Sequence, residues 1–235
     1  MTLSDLFEEL QQRQLFLDQF CSAWSSEYRQ RGGTVYCGKG CSGCCTLVVN
    51  CTLFEALPIA AACSASQQQQ LQELAPRLKA TADNCGSLKE WLSVYRSQLG
   101  PCPFLAPDGS CSVYHVRPLS CRSLLATCSP DWCTTDFSSL SSEEKQSFMV
   151  GLDRSVVAFP THYAATTQEV GRELEEATLR QMESVFGFSL VGCLPWLVWL
   201  VLQHQLDSTL INGYSFVQTH LKTNNLLNPY LLTTA

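Results

Sequence analysis

Residues 37–45 read CGKGCSGCC: four cysteines, Cys37, Cys41, Cys44 and Cys45, share nine positions with three glycines. Thiols packed so densely along a chain do not serve as separate core hydrophobes. The glycines reach positive φ without steric cost and let the backbone fold tightly around a common centre. Several thiolates aimed at one buried point require a cation, because unpaired buried charge is prohibitively expensive. Soft sulfur ligands select zinc or an iron–sulfur cluster over magnesium or calcium. The stretch therefore predicts a metal–thiolate protein whose chemistry sits on an irregular loop.

Downstream, Cys102, Cys111 and Cys121 form a second group inside residues 101–135, where Pro101, Pro103, Pro107, Asp108-Gly109 and Pro118 break any long element. Each group alone offers too few ligands for two closed sites, so the two loops are expected to converge. One cubane cluster takes four cysteines. Two zinc sites with four ligands each would need one more than these seven cysteines supply. A bridging thiolate, His115, or a further cysteine such as Cys128 or Cys133 would make up the difference. His115, between two of the cysteines, reads as a neighbour of the site rather than a ligand. Side chains of adjacent residues diverge in an extended backbone, so Cys44 and Cys45 are expected to serve different ions, or one ion and a structural role.

The rest of the composition narrows the context. With 235 residues and 46% hydrophobic side chains the chain can bury a sizeable core. We expect a single domain over residues 1–235, with the cysteine-cluster core at about 35–135 and a C-terminal helical part at 140–235. The formal charge is −6 and no Lys or Arg run occurs, which disfavours nucleic acid and anionic membrane as partners. Fourteen cysteines fit either an oxidised framework or a metal site in a reducing compartment. The start MTLSDLFEEL lacks the basic and apolar regions of a signal peptide, so the cytoplasmic reading is preferred.

The apolar pattern predicts a mainly α-helical fold, a compact helical domain with two irregular cysteine-rich loops meeting at a metal site. Leu3, Leu6, Phe7, Leu10, Leu17, Phe20, Cys21, Trp24 and Tyr28 give a helical stripe over residues 3–30, stopped by Gly32-Gly33. Residues 47–50 form a short apolar run suited to a strand. Capping boxes at Thr52/Glu55, Ser87/Glu90 and Ser141/Glu144 predict helix starts, the last helix running into Phe159. Residues 66–82 and 167–186 read as further helices, with Pro76 limiting the first and Gly187 closing the second. Residues 186–202, FGFSLVGCLPWLVWLVL, are uncharged. They fall short of the ~20 residues of a spanning helix and contain Pro195, so they are expected to form a central core helix packed on helices 3–28 and 167–186, with no stable membrane insertion. A membrane-associated alternative would use Trp196 and Trp199 as interface anchors.

The spacing Cys37-x3-Cys41-x2-Cys44 resembles the radical S-adenosylmethionine signature. Those enzymes, however, use an α/β barrel and an aromatic residue where Gly43 stands, and they give Cys45 no role. A closer resemblance covers most of residues 37–122. CGKGCSGCC followed by CPFLAPDGSCSVYHVRPLSCR is similar to the CxxCxxCC (YkgJ-type) cysteine-cluster family of zinc- or iron-chelating domains. Its pattern is met by Cys37, Cys41, Cys44, Cys45, Cys102, Pro103, Leu105, Cys111, Tyr114, Arg117, Pro118, Cys121 and Arg122.

This resemblance implies Cys37, Cys41, Cys44, Cys45, Cys102, Cys111 and Cys121 as metal ligands, and an iron–sulfur cluster (a 4Fe-4S centre among the options) or zinc as cofactor. The implied role is redox, metal handling or structural. A related domain in flagellin lysine methylases keeps open an enzyme, methylase-like or redox. No Gly-rich βα turn for S-adenosylmethionine is visible, nor a nucleotide or hydrolase motif. Arg117 and Arg122, flanking Cys121, suit hydrogen bonding to cluster sulfurs, neutralisation of thiolate charge or the grip of an anionic substrate, or else a structural role that orients the ligands. Tyr114 reads as a packing residue, and Cys21 and Cys193 as small hydrophobes on apolar helix faces.

Overall fold

A computed structural model describes residues 3–38, 40–210 and 212–234, and these are mainly helical. Helix α1 runs Leu3–Gln30 and buries Leu6, Leu10, Leu17 and Cys21, the stripe expected of it. The side chain of Leu3 lies outside the described residues. Beyond the first cysteine loop come strand β1 (Asn50–Thr52), α2 (Leu53–Ala62), α3 (Ala65–Asp83) and α4 (Leu88–Val94). The strand starts where the apolar run 47–50 ends, because Asn50 and Cys51 pair with the chain far downstream.

Capping chemistry sets the helix starts. Thr52 Oγ1 accepts the Glu55 N–H, and the Glu55 carboxylate accepts the Thr52 N–H at 2.8 Å. Ser64 and Gln67 make a box of the same kind for α3, a start the sequence reading placed without a cap. Pro76 does not interrupt α3. At Ser87 only half the box forms, since the Glu90 carboxylate accepts from Gly86 N instead. A π-helical turn, Tyr95–Leu99, extends α4 to Gly100.

Short helices α5 (Leu119–Ser123) and α6 (Asp131–Thr134) carry Cys121 and Cys133. Helix α7 (Ser142–Val150) has its full Ser141/Glu144 box but stops at Gly151, well before Phe159, because 151–163 turn back in a series of bends. Helix α8 (Ala165–Phe186) ends at Gly187 with φ 76°.

Residues 186–202 are not one helix. They split into strand β2 (Leu190–Cys193) and helix α9 (Leu194–His204), with Pro195 in the first turn of α9. There its missing N–H costs nothing, so the proline starts the helix rather than breaking one. Cys193 accordingly sits at a strand end and not on a helix face. The remaining elements are α10 (Leu206–Leu210), α11 (Tyr214–Thr223) and β3 (Leu232–Thr234). The sheet is antiparallel in the order β1-β2-β3, with Cys51 opposite Gly192 and Gly192 opposite Leu232.

The partners of the apolar helix also differ from expectation. Helix α9 packs chiefly on α2 and α3, whereas α1 and α8 pack on each other and on α5. The principal core joins Leu53, Phe54, Ile59, Leu71, Leu78, Trp91, Trp196 and Leu197, all at most 1% exposed. Trp196 and Trp199 pack against each other at 4.8 Å, Trp196 within the principal core and Trp199 partly buried against it. No described helix is long and apolar enough to cross a membrane.

Candidate metal centre

The first cysteine loop is shaped by its glycines and its turns. Cys41 N donates to Gly38 O at 3.0 Å, and Gly40 holds φ +85°, a value that suits glycine alone without strain. A 3₁₀ turn over Gly43–Thr46 then follows. This turn replaces the extended backbone in which Cys44 and Cys45 would diverge, and their thiols act on one another.

The second loop folds as a tight hairpin-like excursion. Leu105 bridges to Cys111, Ala106 N donates to Ser110 O at 2.8 Å, and Gly109 turns the chain at φ +79°. Phe104 and Val113, 1% and 2% exposed, anchor it in the principal core. A 3₁₀ turn, Tyr114–Val116, leads through Pro118 into α5 and Cys121.

The two loops touch at their backbones. Cys102 N donates to Cys45 O at 2.8 Å. At Gly109, a Cβ would stand 2.8 Å from Gly40 O, so the turn of one loop rests directly on the other. Helix α6 closes the far side: a Cβ at Gly43 would stand 2.7 Å from Cys133 Cβ and 3.0 Å from Pro130 O.

The electrostatics trace how the thiols face each other. Burial raises Cys37 to about 11, with repulsion from Cys41, Cys44 and Cys133 adding to it and the Ala126 N–H, 3.1 Å from its sulfur, opposing it. Cys44 is pushed far up, first by its hydrogen bond to Cys45 and then by burial. Burial raises Cys102 to about 12, and Cys111, Cys193 and Cys44 repel its thiolate. Cys121 rises well above its ordinary value through burial, reinforced by Cys102, Cys44 and Cys111. The Cys44 charge therefore bears on thiols of two sets, one with Cys37, Cys41 and Cys133, the other with Cys102, Cys111 and Cys121.

Cys133, one of the two cysteines considered for an eighth position, joins the first set. It is 3% exposed, and its sulfur lies 3.2 Å from His162 Nε2. Cys128 does not join: it packs beside Phe148, Leu152 and Val157. His162 carries no spacing signal, standing far beyond both groups in sequence, and only the fold brings it to Cys133. Burial lowers its pKa, which favours the neutral ring.

Arg117 and Arg122 reach α1, and the charge of Arg117 favours the Cys111 and Cys121 thiolates. Both pair with Asp18, Arg117 at 2.9 Å and Arg122 through Nη1. Arg122 also donates to Arg117 O at 2.8 Å and to His115 O at 2.7 Å. They brace the 115–122 segment that positions Cys121. Tyr114 is 61% exposed with the Arg117 guanidinium over its ring at 3.6 Å, so it is a surface stacking partner and not a core residue. His115 is exposed.

The donor set suits a soft metal: sulfur in number, largely shielded, with mutual repulsion that a cation would convert into attraction. Among the described residues, however, no three His, Cys, Asp or Glu side chains are grouped so as to hold a metal ion as they stand. Two of the thiols have local polar partners instead, Cys37 donating to Leu124 O at 3.7 Å and Cys133 lying 3.2 Å from His162 Nε2. Comparison with protein-family models, with curated proteins and with solved structures finds no significant match to this chain.

Proposed function

We propose that the chain is a cytoplasmic metal-binding protein in which Cys37, Cys41, Cys44, Cys45, Cys102, Cys111 and Cys121 hold an iron–sulfur cluster or zinc, with Cys133 as an eighth donor. The observation that supports it most is the meeting of the two cysteine loops and α6, with Cys102 N on Cys45 O at 2.8 Å, Gly109 against Gly40 and Gly43 against Cys133. Thiols that repel one another on ionisation gain most from a shared cation. Loading would exchange the local thiol hydrogen bonds for metal–sulfur bonds and release protons, so affinity would rise with pH. A cluster would give a redox or sensor role, and closed four-thiolate zinc a structural one.

The test is anaerobic purification from cells supplied with iron or with zinc, followed by metal and sulfide analysis and visible absorption. Bound iron with inorganic sulfide and charge-transfer absorption identifies a cluster; bound zinc without colour identifies the structural site. Protein free of both metals from both cultures, with every cysteine open to thiol reagents after unfolding, overturns the reading.

A second reading, an enzyme that uses the same centre, draws on an apolar cleft lined in part by Cys133 and His162. There the metal would supply Lewis-acid or redox chemistry, and the cleft would hold the reactant beside it. Turnover that depends on the bound metal would establish it.

A further inference from the structure

A cleft of about 450 Å³ opens between α6, α7 and the 160–163 segment. Its walls are aromatic. Trp132 and Phe148 stand 4.5 Å apart, Phe137 and Phe148 4.8 Å, and His162 lies edge-on to Phe148 at 6.0 Å. Two cations reach the same cleft, Arg96 from the π turn and Lys145 from α7. Both are partly buried, and among the described residues neither forms an ion pair. Arg96 is held in place by donating to Thr135 O at 2.6 Å. Lys145 is three residues before Phe148 on α7, which places the two side chains on one helix face. Asp136 feels both cations and Glu144 feels Lys145, but neither acid lines the cleft; Asp136 accepts from Ser138 N and Oγ at 2.9 and 2.7 Å, and Glu144 from Ser141 N at 2.7 Å.

We propose that this cleft is a binding site for a small aromatic anion, of the size of a two-ring carboxylic acid. The volume lies in the range of small-molecule pockets, apolar walls with a few placed polar groups are their usual lining, and two partly shielded cations that make no contact ion pair among the described residues select negative charge. Flat rings suit an aromatic box because offset and edge-on contacts are available on several sides. The inference rests on the cleft alone and does not require that the cysteines carry metal.

The experiment is calorimetric titration of the full chain with 2-naphthoate and with its neutral counterpart 2-naphthalenemethanol. The acid is expected to bind roughly tenfold or more tightly than the alcohol, the worth of a charge-assisted contact. The double variant Arg96→Gln/Lys145→Gln should erase that preference and leave the alcohol unchanged. Met149→Trp, which fills the cleft from α7, should abolish binding of both. Equal affinity for acid and alcohol, an unaltered preference in the double variant, or no binding of the acid to a folded wild-type chain would each overturn the proposal. Metal content read on the same preparations reports separately on the cysteine centre.

Discussion

Glu55 Oε1 accepts the backbone N–H of Leu119 at 2.7 Å, while its other oxygen accepts from Thr52 N and Oγ1 at 2.8 and 2.9 Å. One fully buried carboxylate thus caps α2 and fixes where the Cys121-bearing helix begins. Glu55→Gln places an amide N–H₂ where only acceptors fit. We expect a loss of about 1–3 kcal/mol in denaturant unfolding, the cost of leaving a buried donor unsatisfied. Faster reaction of Cys121 with a thiol reagent should accompany it; unchanged stability and unchanged reactivity would show that α5 does not depend on this bond.

Glu175 on α8 gives a pH signature. Burial raises its carboxyl from 4.5 to about 7, and the charges of Glu55 and Glu176 push in the same direction. A raised folded-state pKa means that the folded chain holds a proton the unfolded chain has lost. The contribution is therefore fully present below about pH 4.5 and is lost as pH rises through about 7. Glu175→Gln should stabilise the protein at pH 8 by about 2 kcal/mol, after allowance for partial solvent exposure, and change little at pH 4.5. Thermal unfolding at both pH values measures it, and an equal effect at the two would contradict the assignment.

The contact of Gly109 with Gly40 predicts intolerance to a single methyl group. Gly109→Ala must hold an L residue at φ +79° and bring a Cβ to 2.8 Å from Gly40 O. The expected cost is roughly 2 kcal/mol, within the range of strained backbone positions. Gly38→Ala, where nothing stands within 4 Å and φ is ordinary, is the control and should be near neutral.

Ligand and packing cysteines should separate cleanly. Cys41→Ser and Cys121→Ser are expected to lose bound metal, and with it the stability coupled to binding. Cys21→Ser, whose thiol meets only Arg122 O at 3.6 Å in a small apolar cluster, should keep metal and lose on the order of 1–3 kcal/mol. Full metal content in Cys41→Ser, measured by elemental analysis, would remove that residue from the centre.

The parts of this fold that were legible in sequence are those decided locally. The stripe of α1, the Thr52 and Ser141 caps and the Gly187 stop depend on residues within one or two turns. The run 186–202 was misread because continuous apolarity has no period, so a buried strand followed by a helix resembles one longer helix. Its division comes from β1 and β3, which claim Leu190–Cys193 as a partner from either side. The cysteines announced themselves by density. Asp18, which holds both arginines, and His162, which meets Cys133, are single residues on distant elements, and nothing in their own neighbourhoods marks them.

The order of these contacts along the chain bears on when the protein can close around its thiols. Cys37 to Cys45 emerge early, but the groups that meet this loop come later: Cys102 N on Cys45 O at 2.8 Å, Ala126 N on the Cys37 sulfur at 3.1 Å, and Pro130 and Cys133 beside Gly43. At about 5–20 residues per second, the first cysteine loop leaves the ribosome on the order of 3–20 s before these partners. A metal donor or an oxidant that acts on the nascent chain in that interval meets an open loop, and one that arrives afterwards meets a partly shielded one.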